Sequence, residues 1–262
     1  MSVILAALDD TAAARPVLET AVRCGELLAI EVEALHVCRD HAISHEALTS
    51  LTERVGVPLE VVDGPVVPTV LTSLAEATVV AGVIGARALA EGRRPVGHVA
   101  GSILEGVTKP IVVVPPDSAP TRPFRRLLVP LEGTPESSLP VADWLLPRLP
   151  ADIELVVLHS FTDATRPSML DRPEYDWALL GKEFAARHLP RATQTQLRPG
   201  PAATRIGEAA RALDTDLVVM SWRQDPSPGR ARTLRAVLSA SSQPVLLLPS
   251  PTGRARPPVT NA

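Results

Sequence analysis

Three positions in the first half of the chain have the residue types and the placing that ligand chemistry needs. Asp9 closes the apolar run 3–8, where a carboxylate can accept hydrogen bonds from a sugar hydroxyl or a purine edge. Gly85 closes a second apolar run, 79–84, and without a Cβ it lets backbone come close to a ligand. Gly97 stands just before a stretch of helical spacing, whose unpaired N–H groups and positive dipole end suit phosphate. Between the two glycines lie Arg87, Arg93 and Arg94, with guanidinium forks that match phosphate oxygens. Each has a plainer explanation as well. Asp9 with Thr11 is an ordinary helix start, glycines serve turns, and arginine runs solvate loops.

Other chemistries fare worse. Cys38, His41 and His45 could offer three ligands to zinc, but no fourth accompanies them and Cys38 ends a run expected to be buried, so no metal is assigned. His36 and His159 recur at matching places and read as strand-end packing. Trp144, Trp177 and Trp222 fall only in the second half, as core or interface anchors. The chain has no G-x-S-x-G elbow, no Walker-type loop and no carboxylate pair in a setting that would shift its acidity. No catalytic residue is assigned, no general base is in view even for slow ATP hydrolysis, and the chain reads as a non-enzyme.

The elements that must position these residues follow from periodicity. Apolar runs at 3–8, 30–37, 59–62, 79–84 and 111–114 read as strands, and the amphipathic segments between them, 11–29, 42–55, 64–77 and 97–107, as helices. Repeated β-α order with strands apolar throughout means a doubly wound parallel sheet. The pattern then restarts. Glu132 stands where Asp9 stood and His159 where His36 stood, each 123 residues on (9 to 132, 36 to 159), and Gly200-Pro201 repeats Gly64-Pro65. The fold class is therefore α/β, with two tandem five-stranded parallel sheets flanked by helices. Domain 1 spans 1–117, a Pro-rich linker 118–125, domain 2 126–250 and a loose tail 251–262. The runs 111–114 and 245–248 are apolar edges through which the halves could pair within one chain or form a homodimer.

Around strand four the sequence reads Gly85-Ala86-Arg87-Ala88, eight residues, then Gly97-His98-Val99-Ala100, with Ile103, Leu104 and Pro110 downstream. This resembles the universal stress protein family, whose nucleotide-binding members carry Gly, two residues, Gly, nine residues, then Gly and Ser or Thr. The resemblance extends over both halves. It implies ATP, AMP or another adenine nucleotide as ligand. Asp9 would meet ribose or base and the Val37 backbone the adenine, while Gly85, Arg87, Ala88, Gly97, His98 and Val99 would line the phosphate path. Ala88 stands in place of a glycine and His98 in place of a small hydroxyl. The second half departs further, its strand four ending Val219-Met220-Ser221-Trp222-Arg223-Gln224, with Ala231 and Arg232 where Gly and Ser belong and Glu132 longer than aspartate, so it is expected to hold nucleotide poorly or not at all. The family also implies a stress-response or regulatory role with a protein partner that the sequence does not name, or, in a second reading, a ligand-free interaction scaffold.

Composition narrows the partners. The formal charge of −3 with 45% apolar and 21% charged residues gives no electrostatic case for nucleic acid or an anionic membrane. No run is long and apolar enough to span a bilayer, the first residues lack a signal-peptide pattern, and two cysteines make no disulfide framework. A cytoplasmic protein is the expectation.

Overall fold

The computed structural model describes residues 1–38, 45–86, 97–118, 122–162, 176–223 and 231–250. In the first half the elements are β1 (Val3–Leu8), α1 (Ala14–Leu28), β2 (Glu31–Cys38), α2 (Glu46–Glu53), β3 (Leu59–Asp63), α3 (Val66–Ala75), β4 (Val79–Gly85), α4 (His98–Gly106) and β5 (Ile111–Val114). The second half runs β6 (Arg126–Pro130), α5 (Pro135–Pro140), β7 (Glu154–Phe161), α6 (Trp177–His188), β8 (Gln194–Pro199), α7 (Ala202–Ala212), β9 (Leu217–Trp222), α8 (Arg232–Ala240) and β10 (Val245–Pro249). The helix expected over 11–29 begins at Ala14, because Thr11 to Ala13 form a turn closed by the Ala14 N–H on the Thr11 carbonyl at 3.0 Å. The helix expected over 64–77 stops at Ala75, where Glu76 turns extended at ψ 142°. In α5, Pro140 lies inside the helix and cannot donate to the ladder. The chain passes there into a π-helical turn over Val141–Leu145 and a 3-10 turn over Leu146–Arg148.

The ten strands of the described residues lie in one sheet, ordered β3-β2-β1-β4-β5-β10-β9-β6-β7-β8. Pairing is parallel within each half, and β10 meets β5 antiparallel with Val245 opposite Val113 and Leu247 opposite Ile111. The two apolar runs singled out as edges are thus the strands that join the halves. Every residue of β5 is buried, which an edge strand facing water could not sustain. The order reads the same outward from this seam in both directions. Helices α1 and α2 cover one face and α3 and α4 the other. Each core layer crosses the seam, one through Val112 and Leu246, the other through Ile111, Val113, Val245 and Leu247.

The repeat is geometric as well as sequential. His36 Nδ1 donates to the Leu8 carbonyl at 2.9 Å and His159 Nδ1 to the Leu131 carbonyl at 2.9 Å, both pairs 123 residues apart (36 to 159, 8 to 131). Past the longer β7–α6 connection the offset becomes 136, as from Val61 to Leu197, the partners of the two histidines. At the entry to the second half one carboxylate organises the backbone. Asp216 accepts from the Arg125 and Arg126 N–H groups at 2.8 Å each and from Arg122 Nε at 2.9 Å, and Arg122 also reaches Asp214 at 2.6 Å.

Candidate functional site

The direction of winding reverses between β1 and β4. From β1 the chain moves outward through β2 and β3, and from β4 the other way to β5. Loops after such a pair of strands must diverge to opposite faces, which leaves a crevice at their carboxyl ends. Register Ala7 to Ile84 sets Leu8-Asp9 beside Gly85-Ala86 at the mouth of that crevice. Asp9 is exposed, and its Oδ1 accepts from the Thr11 N–H at 3.0 Å and the Thr11 hydroxyl at 2.5 Å. Its Oδ2 makes no hydrogen bond among the described residues. The carboxylate is therefore held in a side-chain turn with one oxygen engaged. A Cβ on Gly85 would lie 3.3 Å from Val17 Cγ2, so a larger residue there would press against α1.

Gly97 caps α4 at φ −60° and ψ 160°, a conformation open to any residue, so its value lies in a small, buried helix entry rather than in backbone freedom. His98 and Val99 open that helix and are exposed. They line an open groove of about 570 Å³ with Asp63, Gly64, Pro65, Val66, Val67 and Pro68, between the first turns of α3 and α4. Its size is in the range of small-molecule sites. Val37 is half-buried near the end of β2, paired with Val62, and the Gly64 N–H closes that strand end on the Cys38 carbonyl at 3.2 Å. Gly64 sits at φ +153° and a Cβ there would meet Thr69 Oγ1 at 2.8 Å, so glycine is required.

Of the residues singled out in the sequence, the structure thus sets Asp9 and Gly85 at one crevice and His98 and Val99 at one groove, with Val37 on the strand between β1 and β3. Arg87, Ala88, Arg93, Arg94 and His41 lie outside the described residues. Asp63 and the first turn of α3, expected as a strand end and a helix start, are not among the site residues that the sequence singles out. Asp63-Gly64-Pro65 has the same acid-and-glycine signature at a strand's carboxyl end that marked Asp9 and Gly85. Cys38 Sγ lies 3.6 Å from the Val62 carbonyl and 3.5 Å from Asp63 Oδ1, and the His36 and His45 rings are 4.9 Å apart. Among the described residues no three acidic, cysteine or histidine side chains gather as metal ligands.

The corresponding strand ends of the second half carry different residues with contacts of their own. Ser221, at the place of Gly85 (85 to 221, again 136), donates to the Ser137 carbonyl at 2.6 Å, and Ser250 donates to the Glu136 carbonyl at 3.0 Å. Trp222, at the place of Ala86, is buried with 6% of its surface exposed. Arg223 stands 3.6 Å from Glu132, the counterpart of Asp9. Gly133, at φ +83°, lies under Phe184, whose ring stacks on His159 at 4.7 Å. Burial, with Arg187 and His159 adding like charge, pushes the neighbouring His188 imidazole down.

The model of the universal stress protein family matches residues 123–249, just under half of the chain. No curated protein sequence matches it. A functionally unknown protein from Pseudomonas aeruginosa superposes with TM-score 0.69 at 15% identity, covering 95% of this chain and 93% of its own. A universal stress protein from Archaeoglobus fulgidus superposes with TM-score 0.63 at 15% identity over 94% of this chain and 98% of its own. At these identities the likeness is one of fold, and it spans both halves. Among the described residues no helix is long and apolar enough to cross a membrane.

Proposed function

Residues 123–249 form a domain of the universal stress protein family, and from that premise we propose that the chain binds one adenine nucleotide, ATP or AMP, in its first half, the second half serving as a ligand-free partner. The observation that carries this reading is the contrast between the two switch points. In the first, a carboxylate with one oxygen unengaged among the described residues and a glycine flank the crevice, and a helix start with no side-chain cap among those residues lies beyond. In the second, serine and buried tryptophan, Ser221 and Trp222, stand at the strand end, the counterpart of Asp9 is a glutamate 3.6 Å from Arg223, and Phe184 lies over Gly133. Occupancy of the first site stabilises its loops by mass action and thereby alters the surface offered to a regulatory protein in a stress response.

Mass spectrometry of the natively purified chain tests the reading, together with calorimetric titration of ATP and AMP. The expected result is one nucleotide per chain and loss of binding in Gly85→Val and Gly97→Val. A chain that retains no nucleotide and gives no binding heat overturns it. The remaining reading is then the ligand-free interaction scaffold, which the engagement of Asp9 by Thr11 favours, since that contact is a complete turn without any ligand.

A further inference from the structure

We infer that copies of this chain associate end to end along the sheet, β3 of one copy pairing antiparallel with β8 of the next, in the register that sets Glu60 opposite Arg198 and Val61 opposite Leu197. The inference stands apart from the nucleotide reading above. The seam joins β5 to β10, so β3 and β8 are the outermost strands, and the outer side of each has no strand partner among the described residues. Such edges are templates for further pairing. On β3, Glu60 is exposed and Val61 is 40% exposed, while Leu197 and Arg198 are half-buried on β8. Pairing is parallel within each half and the seam reverses it, so β3 and β8 run in opposite directions in one molecule. A second copy kept in the same orientation therefore brings its β3 antiparallel to β8, with like faces of the two sheets on one side.

The faces select the register. Leu59 packs in the core layer that contains α1, and Val61, two residues on, shares its face. Leu197 packs with Leu180 of α6, whose Phe184 joins that same layer. Glu60 and Arg198 both lie on the other face, where Val62 joins the second layer. Residues directly opposite in an antiparallel pair share a face, so Glu60 can meet Gln194, Gln196 or Arg198 but not Leu197. Setting it on Arg198 joins opposite charges and in the same step sets Val61 on Leu197 and Val62 on Gln196. Neither charge has an ion-pair partner among the described residues. Cross-strand pairs of both kinds stabilise a sheet, and like charges opposite each other oppose it. A β3 laid on a second β3 gathers Glu60 and Asp63 with their own copies, and β8 on β8 gathers Arg198 with its own, so the cross pairing is the favoured one. It is heterologous: each added copy leaves one β3 and one β8 unpaired, and growth does not stop at a dimer.

Sedimentation velocity of the full chain over a range of concentrations tests this, with circular dichroism to establish that each variant folds. The natural chain is expected to sediment faster as its concentration rises and to pass beyond a dimer. Val61→Lys blocks β3 and Leu197→Lys blocks β8, and each is expected to weaken association about tenfold. At a concentration where each variant alone is monomeric, a mixture of the two has one open edge per chain and is expected to form a dimer and nothing larger. Glu60→Arg and Arg198→Glu should each weaken association by a similar factor, and the chain carrying both should return to within about threefold of the natural one. Should Leu197→Lys not fold, Arg198→Glu takes its place in the mixture. The inference is overturned if the natural chain stays monomeric or stops at a closed dimer, or if the blocked variants associate as it does. It is equally overturned if the mixture forms anything but a dimer, or if the double charge reversal associates no better than the single ones.

Discussion

Asp216 is the residue on which a single substitution should cost the most relative to its size. Its side chain is 6% exposed and accepts two backbone N–H groups, of Arg125 and Arg126, at 2.8 Å each, and Arg122 Nε at 2.9 Å. Hydrogen bonds to a charged group contribute about 1.5 to 3 kcal/mol apiece where water cannot replace them. Arg125 is exposed, so water takes over its N–H when the carboxylate is removed, whereas Arg126 is half-buried in β6 and its N–H is left short of an acceptor. The Arg122 side chain is 55% exposed and retains Asp214 at 2.6 Å, so water and Asp214 make up for most of its share. Together these give a loss of about 3 kcal/mol for Asp216→Ala, and about half that for Asp216→Asn, which keeps one acceptor oxygen. Urea unfolding followed by circular dichroism measures both, and 1 M salt should leave most of the difference because the backbone bonds do not depend on the exposed guanidinium. A loss under about 0.5 kcal/mol for the alanine variant, or equal losses for alanine and asparagine, would refute the assignment of these bonds as the organising contact.

Three further outcomes follow from the same structure. Ala29 ends α1 at φ +53°, so Ala29→Gly should raise stability by about 1 kcal/mol, read from the thermal midpoint; a lowered midpoint would show that the strain is absent. Burial pushes the Cys24 thiol up from 9.0 to about 12, so the folded chain keeps its proton where the unfolded chain loses it. Stability should therefore fall by about 1.4 kcal/mol per pH unit as pH rises from about 9 toward 12, and Cys24→Ala should remove that slope. Val113→Ala and Val245→Ala each empty part of the seam and should each cost about 2 kcal/mol; because the two face each other, their losses should fail to add by more than about 0.5 kcal/mol in a double-mutant cycle followed by urea unfolding.

The strands and the repeat were legible because they leave local marks. Continuous apolar runs at 3–8 and 111–114 match their elements to the residue, and the 123-residue offset of Asp9 with Glu132 and of His36 with His159 reappears as the same histidine bond in space. That Asp9 and Gly85 close strands was legible, but that those two strands adjoin was not, since β-α alternation implies a parallel sheet without setting its strand order. What stayed hidden depends on approach between residues far apart in the chain. The reach of Arg122 to Asp216 spans 94 positions and that of Ser221 to Ser137 spans 84, and neither residue type signals its partner. The groove beside His98 was half legible: helix starts at 97 and 65 were expected, but their convergence with Asp63 is set by how α3 and α4 pack on the sheet.

The seam between β5 and β10 also changes what mutation can do to each half. A ligand-filled crevice and a complementary edge are separate demands, met by different residues. The second half keeps the buried edge Val245 to Leu248 while its strand end carries Ser221 and Trp222 where the first half has Gly85 and Ala86. Covalent linkage makes the pairing intramolecular and so raises the effective concentration of one edge at the other far above that of two free chains. Under that condition the strand-end residues of the second half are open to drift toward new contacts, whereas Val245, Leu246 and Leu247 are not, since a polar change at any of them would fall inside one of the two core layers where it crosses the seam.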